Sequence, residues 1–205
     1  MLAEAPWTIE RSDLEALARA GMSEPSILHA VVLASYFNYL NRVADAVDIE
    51  FDYDSPLPKM RVDRSREPLP LPEPAAWPQR PAPLAMTLAQ RPNTHAPFRQ
   101  WEQYVLEREA PLSRRDRRVL ARAVAASLAD RRGHLRFEDA APTNAREQLL
   151  ARFGELLTRA PWRLSDAVLA ELRSLGLDDL GLLDAISVAS FQNTASRLSL
   201  VLAEV

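Results

Sequence analysis

Residues 23–47 read SEPSILHAVVLASYFNYLNRVADAV, and this stretch decides the fold because a second version of it closes the chain. At an offset of 155 positions, residues 5–50 lie on residues 160–205 without a gap. An internal repeat of this size predicts a repeated structural unit. The identical pairs are Ala5 and Ala160, Pro6 and Pro161, Trp7 and Trp162, Leu14 and Leu169, Leu17 and Leu172, Gly21 and Gly176, Leu28 and Leu183, Ala30 and Ala185, Ala34 and Ala189, Ser35 and Ser190, Asn38 and Asn193, and Arg42 and Arg197.

Each copy predicts a short helix, a glycine stop and a long helix. In the second copy, Ser165 is the expected N-cap of a helix over Asp166–Leu175, and Gly176 is the expected left-handed residue after it. In the first copy, Ser23 caps the long helix. Residues 27–40 are apolar on almost every side, which is typical of a buried helix, and fourteen residues are too few to span a bilayer. We expect both long helices to stand at the centre of the core.

Composition excludes several classes of protein. The chain has 205 residues and a formal net charge of −3, which gives no general basis for binding nucleic acid or a membrane. Its lack of cysteine excludes disulfides, thiolate zinc sites and thiol chemistry. The N-terminus has no basic region followed by an apolar run, so we expect no leader or anchor and a cytoplasmic protein. No phosphate loop or Ser-His-Asp set is present, so we expect no cofactor.

The segment after the first copy is acidic. Asp48–Asp54 alternates acidic and apolar residues, which predicts a short extended segment. Five acidic residues lie between positions 45 and 54, and such a cluster raises the question of a metal site. A calcium loop starting at Asp48 would need glycine at its sixth position, which the sequence lacks. We therefore expect a solvated or salt-bridged surface and no metal.

Residues 55–97 contain eleven of the sixteen prolines. Closely spaced prolines exclude a regular helix, so the segment predicts an extended arm that lies on a surface, anchored by Trp77 and Leu84. A proline-rich ligand for another domain is the alternative, and a connector suits this globular composition better.

Helical periodicity resumes near Phe98 and continues through Ser113–Asp130. A polar loop is expected over Arg131–Pro142, followed by a helix up to Thr158 that Asn144 caps. The outer face of the Ser113–Asp130 helix is predicted to carry a row of basic residues. No aromatic residue interleaves them and an acid interrupts them, so a solvated or subunit-facing surface is favoured over a nucleic-acid interface. The basic residues are Arg114, Arg115, Arg117, Arg118 and Arg122, and the acid is Asp116.

Three segments carry a resemblance to the alkylhydroperoxidase D-like family, the carboxymuconolactone decarboxylase superfamily. Leu112–Leu120, LSRRDRRVL, resembles the entry to that family's core helix. Leu149–Ile186, with its LTRAPW, LGL and LLDAI pieces, is similar to the family's second half. Phe37–Asp45, FNYLNRVAD, resembles the closing helix of its peroxidase-related members. The resemblance implies an all-α fold with a complete module over 98–205, an extra second-half unit over 1–54 and a proline-rich arm over 55–97.

The same resemblance implies an activity that this chain lacks the means to perform. Active members use a Cys-x-x-Cys pair with a following histidine as a thiol relay, whereas this chain has AASLADRRGH at residues 125–134. We therefore expect no thiol peroxidase activity. Lactone decarboxylation, the family's other chemistry, needs a positioned acid–base group but no thiol. His134 with Glu138 or Asp139 is the candidate set, and a surface histidine without a catalytic role is the alternative.

Polar residues inside the repeat form a second candidate set. Asn38 and Arg42 lie four residues apart on one helical face, and Asn193 and Arg197 repeat that spacing. A buried arginine must have its donors satisfied. The pairs are therefore expected either to bond the ends of neighbouring helices or to line a pocket for an anionic ligand between the two units.

Two function classes follow from these observations. The first is a non-redox family member that acts as a structural or interaction subunit, alone or beside an active paralogue. The second is a cysteine-independent enzyme of the decarboxylase kind that acts on a small anionic lactone or acid. The apolar first copy needs a cover, which favours a homo-oligomer, with a dimer expected.

Overall fold

The computed structural model describes residues 2–47, 49, 63–79, 84, 88 and 92–202. These residues form helices and no strand, so the predicted all-α class is confirmed. None of the described helices is both long and apolar enough to cross a membrane. Short 3-10 helices occupy Pro6–Thr8, Pro74–Ala76, Glu138–Ala140 and Pro161–Arg163. The described α-helices are α1 (Arg11–Arg19), α2 (Glu24–Val47), α3 (Pro92–Leu106), α4 (Arg114–Ser127), α5 (Arg131–Arg136), α6 (Ala145–Arg159), α7 (Asp166–Ser174) and α8 (Asp179–Leu202).

Helix α8 is the centre of the fold. Nearly every residue from Gly181 to Leu202 is buried, because α2, α3, α4 and α6 all pack against this helix. No charged side chain lies between Asp184 and Arg197, so this part of α8 is covered at little electrostatic cost. The largest apolar cluster fills the space between α4, α6 and α8.

The two sequence copies have matching element bounds. Helices α1 and α7, and likewise α2 and α8, begin and end at positions that differ by the same 155 residues. Gly21 and Gly176 have φ angles of 96° and 84°, the left-handed conformation that glycine adopts without a steric penalty. In both turns the next N–H bonds five residues back, as in a Schellman motif, so the predicted glycine stops are confirmed.

The burial of α2 differs from expectation. Only one side of α2 is buried, including Ile27, Val31 and Ser35, whereas Leu33 and Phe37 are exposed. The prediction that both long helices are enclosed therefore holds for α8 and is wrong for α2. The physical reason is that α8 covers one side of α2, while α3, α4 and α6 pack against α8.

The proline-rich segment is helical at its end. Helix α3 begins at Pro92, six residues before the expected start at Phe98, and includes Pro97. Proline fits the first turn because the first N–H groups of a helix have no acceptor within it, and Pro97 removes one hydrogen bond near the start. Counting prolines therefore placed the arm's end too late.

The segment of residues 63–79 is hydrogen-bonded to the C-terminal end of α6 and to the 3-10 turn that follows it. Arg159 donates to the carbonyl of Leu69 at 2.7 Å, and the indole of Trp162 donates to that of Arg66 at 3.1 Å. Trp77 lies edge-on to His134, with ring centroids 5.5 Å apart, and Leu84 packs against the core. The extended segment expected after the first copy lies, apart from Ile49, outside the described residues.

Two local expectations are corrected between α4 and α6. The polar loop expected over Arg131–Pro142 contains helix α5 and a 3-10 turn, because Asp130 caps α5. Arg117 is fully buried, although the sequence placed it on the outer basic face. Its position three residues before Leu120 and seven before Val124 puts it on the inner stripe of α4. The expected cap of α6 is confirmed, since Asn144 accepts the N–H of Glu147 at 2.9 Å.

Candidate functional site

A cavity of about 650 Å³ opens between α3, α5 and α8. This volume falls within the range of cavities that hold small organic ligands. Its wall combines charged, polar and apolar side chains, so it offers both orientation and apolar contact. The lining residues are Leu84, Phe98, Arg99, Glu102, Asp130, Arg132, Gly133, Leu135, Arg136, Gln192, Ala195 and Ser199.

Asp130 is the buried carboxyl group of this cavity. Its side chain accepts the N–H of Gly133 at 3.0 Å as the N-cap of α5, and the residue is only 3% exposed. Burial raises the pKa of Asp130, an effect that its hydrogen bonds and the nearby Arg132 cation only partly offset. A carboxyl group whose pKa is raised inside a cavity is typical of functional sites.

The backbone around Asp130 is closely constrained. Ala129, which precedes it, has a φ of 54°, and this left-handed conformation costs an alanine roughly 1–2 kcal/mol. A Cβ at Gly133 would lie 2.4 Å from Oδ2 of Asp130, so any side chain there displaces the carboxyl group. The chain thus holds the carboxyl group at the cavity wall in one position.

Helix α8 supplies a polar network beneath Asp130. Gln192 donates to the hydroxyl of Ser196 at 3.0 Å, and Ser196 hydrogen-bonds the Asp130 carboxyl group. All three side chains are buried, which fixes their relative positions. The cavity therefore has an oriented hydrogen-bonding wall.

The other charged side chains that line the cavity are predominantly positive. Glu102, 5% exposed, forms ion pairs with both Arg99 and Arg136. Arg132 is the third guanidinium on the wall. Three cations face one paired carboxylate and one carboxyl group whose pKa is raised. A ligand with a negative charge suits this balance.

The predicted catalytic set is not brought together. Arg122 donates to Nε2 of His134 at 3.2 Å, while the buried Nδ1 has no hydrogen-bond partner. Burial, with the charge of Arg122, lowers the pKa of His134. Asp139 pairs with Arg118 at 2.5 Å, and Glu138 is exposed. Neither nitrogen of His134 therefore contacts a carboxylate, and its lone pair already accepts a hydrogen bond.

The repeat residues form ties between the two copies. Arg42 donates to the carbonyl of Thr158 at 3.3 Å, and Arg197 donates to that of Ala3 at 2.8 Å. Both the donors and the acceptors differ by the 155-residue offset of the sequence. The cavity next to Arg42 measures only about 30 Å³, the space of one water molecule.

The two asparagines bond within their own helices. Asn38 donates to the carbonyl of Ala34 at 3.0 Å, and Asn193 donates to that of Ala189 at 2.9 Å. Asn193 also donates to the hydroxyl of Thr158 at 2.9 Å and accepts from Arg197 at 2.6 Å. These contacts favour the structural interpretation of the four repeat residues.

Sequence reasoning missed Asp130 and Glu102. The available signal was the aspartate itself, a preferred N-cap residue, but the helical periodicity placed Asp130 at the end of the preceding helix, which ends at Ser127 in the structure. Glu102 looked like one more polar residue on an amphipathic helix. Only the approach of α3 to α5 turns it into a buried, doubly paired carboxylate.

The Asp130→Asn variant tests whether burial of the Asp130 carboxyl group reduces the stability of the folded protein at neutral pH. An unperturbed aspartate has a pKa of about 3.9, and the folded value is higher. As pH rises above the unfolded pKa, the unfolded chain gains by ionising, so the wild type loses stability until the folded pKa is passed. The variant lacks this loss. At a pH near the unfolded pKa we expect the variant and the wild type to have similar melting temperatures. At neutral pH we expect the variant to have the higher melting temperature.

Asp139→Asn is the control for this measurement. Arg118 lowers the pKa of Asp139, so its ionised form is favoured in the folded protein and the pH dependence has the opposite sign. Thermal unfolding of the wild type and both variants from acid to neutral pH gives the comparison. A constant difference between Asp130→Asn and the wild type across that range contradicts the prediction.

Comparison of the sequence with protein-family models and curated proteins, and of the fold with solved structures, gave no match.

Proposed function

We propose that this chain is a cysteine-free, non-redox member of the alkylhydroperoxidase D-like superfamily that binds a small organic anion in the cavity beside Asp130. The observation that carries the proposal is the buried Asp130 carboxyl group on the wall of a 650 Å³ cavity that three arginines also line. A ligand with one negative group and a compact apolar body fits both parts of this wall.

The finer architecture belongs to the same proposal. In this proposal residues 98–205 form the family module, 1–54 is an extra second-half unit and 55–97 is the arm, whose residues 92–97 belong to α3. The matching element bounds of the two copies support a duplicated unit. The reciprocal bonds of Arg42 and Arg197 support an arrangement in which each unit holds the other.

The chemistry that the cavity residues themselves offer is of the acid–base kind. The chain has no thiol, so peroxide reduction through a cysteine relay is not expected. His134 has its lone pair occupied by Arg122, whereas Asp130 lies on the cavity wall. An enzyme of the decarboxylase kind would therefore use Asp130 as its acid–base group.

Thermal unfolding with matched probes tests the proposal. Small aromatic and aliphatic carboxylates are compared with their neutral amides. The carboxylates are expected to raise the melting temperature and the amides are not, because only the former can pair with the guanidinium groups. A ligand at a free concentration one hundred times its dissociation constant stabilises the folded state by about 2.7 kcal/mol.

Two variants make the test specific. Arg136→Gln removes a cation from the cavity wall and is expected to abolish most of the carboxylate effect. Arg173→Gln removes a half-exposed arginine that pairs with Asp179 and leaves the effect intact. Equal stabilisation by amides and carboxylates, or no stabilisation by any probe, counts against an anion site.

A structural or interaction subunit, alone or beside an active paralogue, is the second candidate. The observation that favours it is the exposed apolar side of α2. Large apolar side chains on one helical face are typical of protein interfaces.

A further inference from the structure

Helix α2 presents a stripe of four large apolar side chains at its surface, hereafter the α2 stripe. Leu33, Tyr36, Phe37 and Leu40 are 47%, 45%, 53% and 39% exposed. Their spacing of three, four and seven residues places them on one helical face. No acidic, lysine or arginine side chain lies between Glu24 and Arg42, so the stripe has no charge within it.

The same positions on α8 are covered. The 155-residue offset relates Leu33 to Val188 and Tyr36 to Phe191, and both α8 residues are fully buried. Their cover comes from α3 and α4. The described residues place no equivalent helices over the α2 stripe. This side of α2 is therefore as apolar as a buried helix face, but among the described residues no helices pack over it as they do over α8.

The stripe is held on a firm support. Tyr36 stacks with Tyr39 at a centroid distance of 6.2 Å, and both rings contact the edge of Trp101. Trp101 in turn packs against the buried ring of Phe191 at 4.7 Å. Such preorganisation reduces the entropy lost when a partner binds.

The pattern of the stripe is the same in both directions along the helix. Its intervals are three, one and three residues, so an antiparallel copy places Leu33 against the partner's Leu40 and Tyr36 against the partner's Phe37. A twofold interface requires this self-complementarity. We propose that the α2 stripe is a homodimer interface in which α2 pairs antiparallel with α2 of a second copy of this chain.

Antiparallel pairing also aligns the two helix dipoles favourably. Asp45 pairs with Arg42 on another side of α2, so its charge lies outside the stripe. The interface does not depend on ligand binding in the cavity, so the two tests are independent.

Light scattering coupled to size exclusion measures the assembly of the full-length chain. The wild type is expected at twice its 23.0 kDa mass, and Phe37→Glu at the monomer mass, because a carboxylate would be buried at the centre of the contact. Leu180→Glu is the control, since Leu180 is a 64% exposed leucine on α8. That variant stays dimeric. Circular dichroism shows that each variant is folded.

The absence of cysteine permits a direct test of orientation. The Leu33→Cys/Leu40→Cys double variant is expected to form a covalent dimer on oxidation, because antiparallel pairing brings each new thiol opposite its counterpart. The Leu33→Cys single variant is not, since its two thiols lie seven residues apart along the pair, about 10 Å. Cross-linking of the single variant indicates a parallel pair and overturns the proposal. So does a wild type that is monomeric, including one that dimerises only with a different protein.

Discussion

Replacing Arg117 with methionine is expected to destabilise the protein by about 3–5 kcal/mol, because it leaves a buried carboxylate without its main partner. Arg117 is fully buried and pairs with Asp184, which is 6% exposed, through both carboxylate oxygens. Its remaining donors bind the carbonyls of Val105 at 2.7 Å and Arg108 at 2.9 Å. The substitution therefore leaves several buried acceptors unpaired at once.

The position of this pair explains why the loss should be large. Asp184 also accepts the N–H of Leu112 at 3.1 Å, so it joins the start of α8 to the segment between α3 and α4. Arg117 bonds the same segment from α4. Without the arginine, three elements lose their common contact and the Asp184 charge remains in the interior.

Arg118→Met is the matched control, from the neighbouring position on α4. Arg118 and its partner Asp139 have 30% and 66% of their side chains exposed, and solvent screening leaves such a pair with little effect on stability. Urea unfolding of the wild type and both variants measures the two losses. The Arg117→Met/Asp184→Leu double variant should regain part of the stability, because it removes a buried carboxylate whose remaining cationic partner is the partly exposed Arg108. Equal losses for the two single variants contradict the prediction.

Replacing Arg197 with alanine is expected to cost about 2–4 kcal/mol. Arg197 is 1% exposed and donates to the carbonyls of Leu2 at 3.2 Å, Ala3 at 2.8 Å and Asn193 at 3.1 Å. Burial, with the positive charge of Arg42, lowers the pKa of Arg197 to about 9, which leaves it protonated at neutral pH. Its loss frees the carbonyls of Leu2 and Ala3, which precede the first copy, and of Asn193 in the second.

Arg42→Ala is expected to act in the same direction with a smaller loss. Arg42 holds the carbonyl of Thr158 and lies 3.8 Å from Asp45, while its Nε has no hydrogen-bond partner. Arg173→Ala, at a half-exposed site, serves as the control. Urea unfolding ranks the three variants. A loss for Arg197→Ala no larger than for Arg173→Ala would show that the arginine does not tie the two copies together.

Local sequence determined much of the framework. Apolar residues at helical spacing, the glycines at positions 21 and 176, and the Asn144 cap predicted helices that the structure contains. These signals can be read from the sequence because they depend on residues within a few positions of each other. The proline criterion misplaced the start of α3, since Pro92 occupies the first position, where proline is tolerated, and Pro97 lies inside the helix at the loss of one hydrogen bond.

Tertiary contacts decided which polar groups became buried. Arg117 and Glu102 resemble ordinary surface residues in the sequence, and each is buried only because partners distant in the chain surround it. Asp130 likewise becomes a cavity residue through the approach of α3 and α8 to α5.

The sequence by itself determined that the chain is all-α, that it lacks a thiol and that residues 5–50 align with residues 160–205 without a gap. The tertiary structure alone decided that α8 is enclosed while α2 keeps one apolar side exposed. The two helices have similar patterns, and their difference arises because α3, α4 and α6 pack mainly against α8. Burial depends on neighbours that are distant in the sequence, and a local pattern does not specify them.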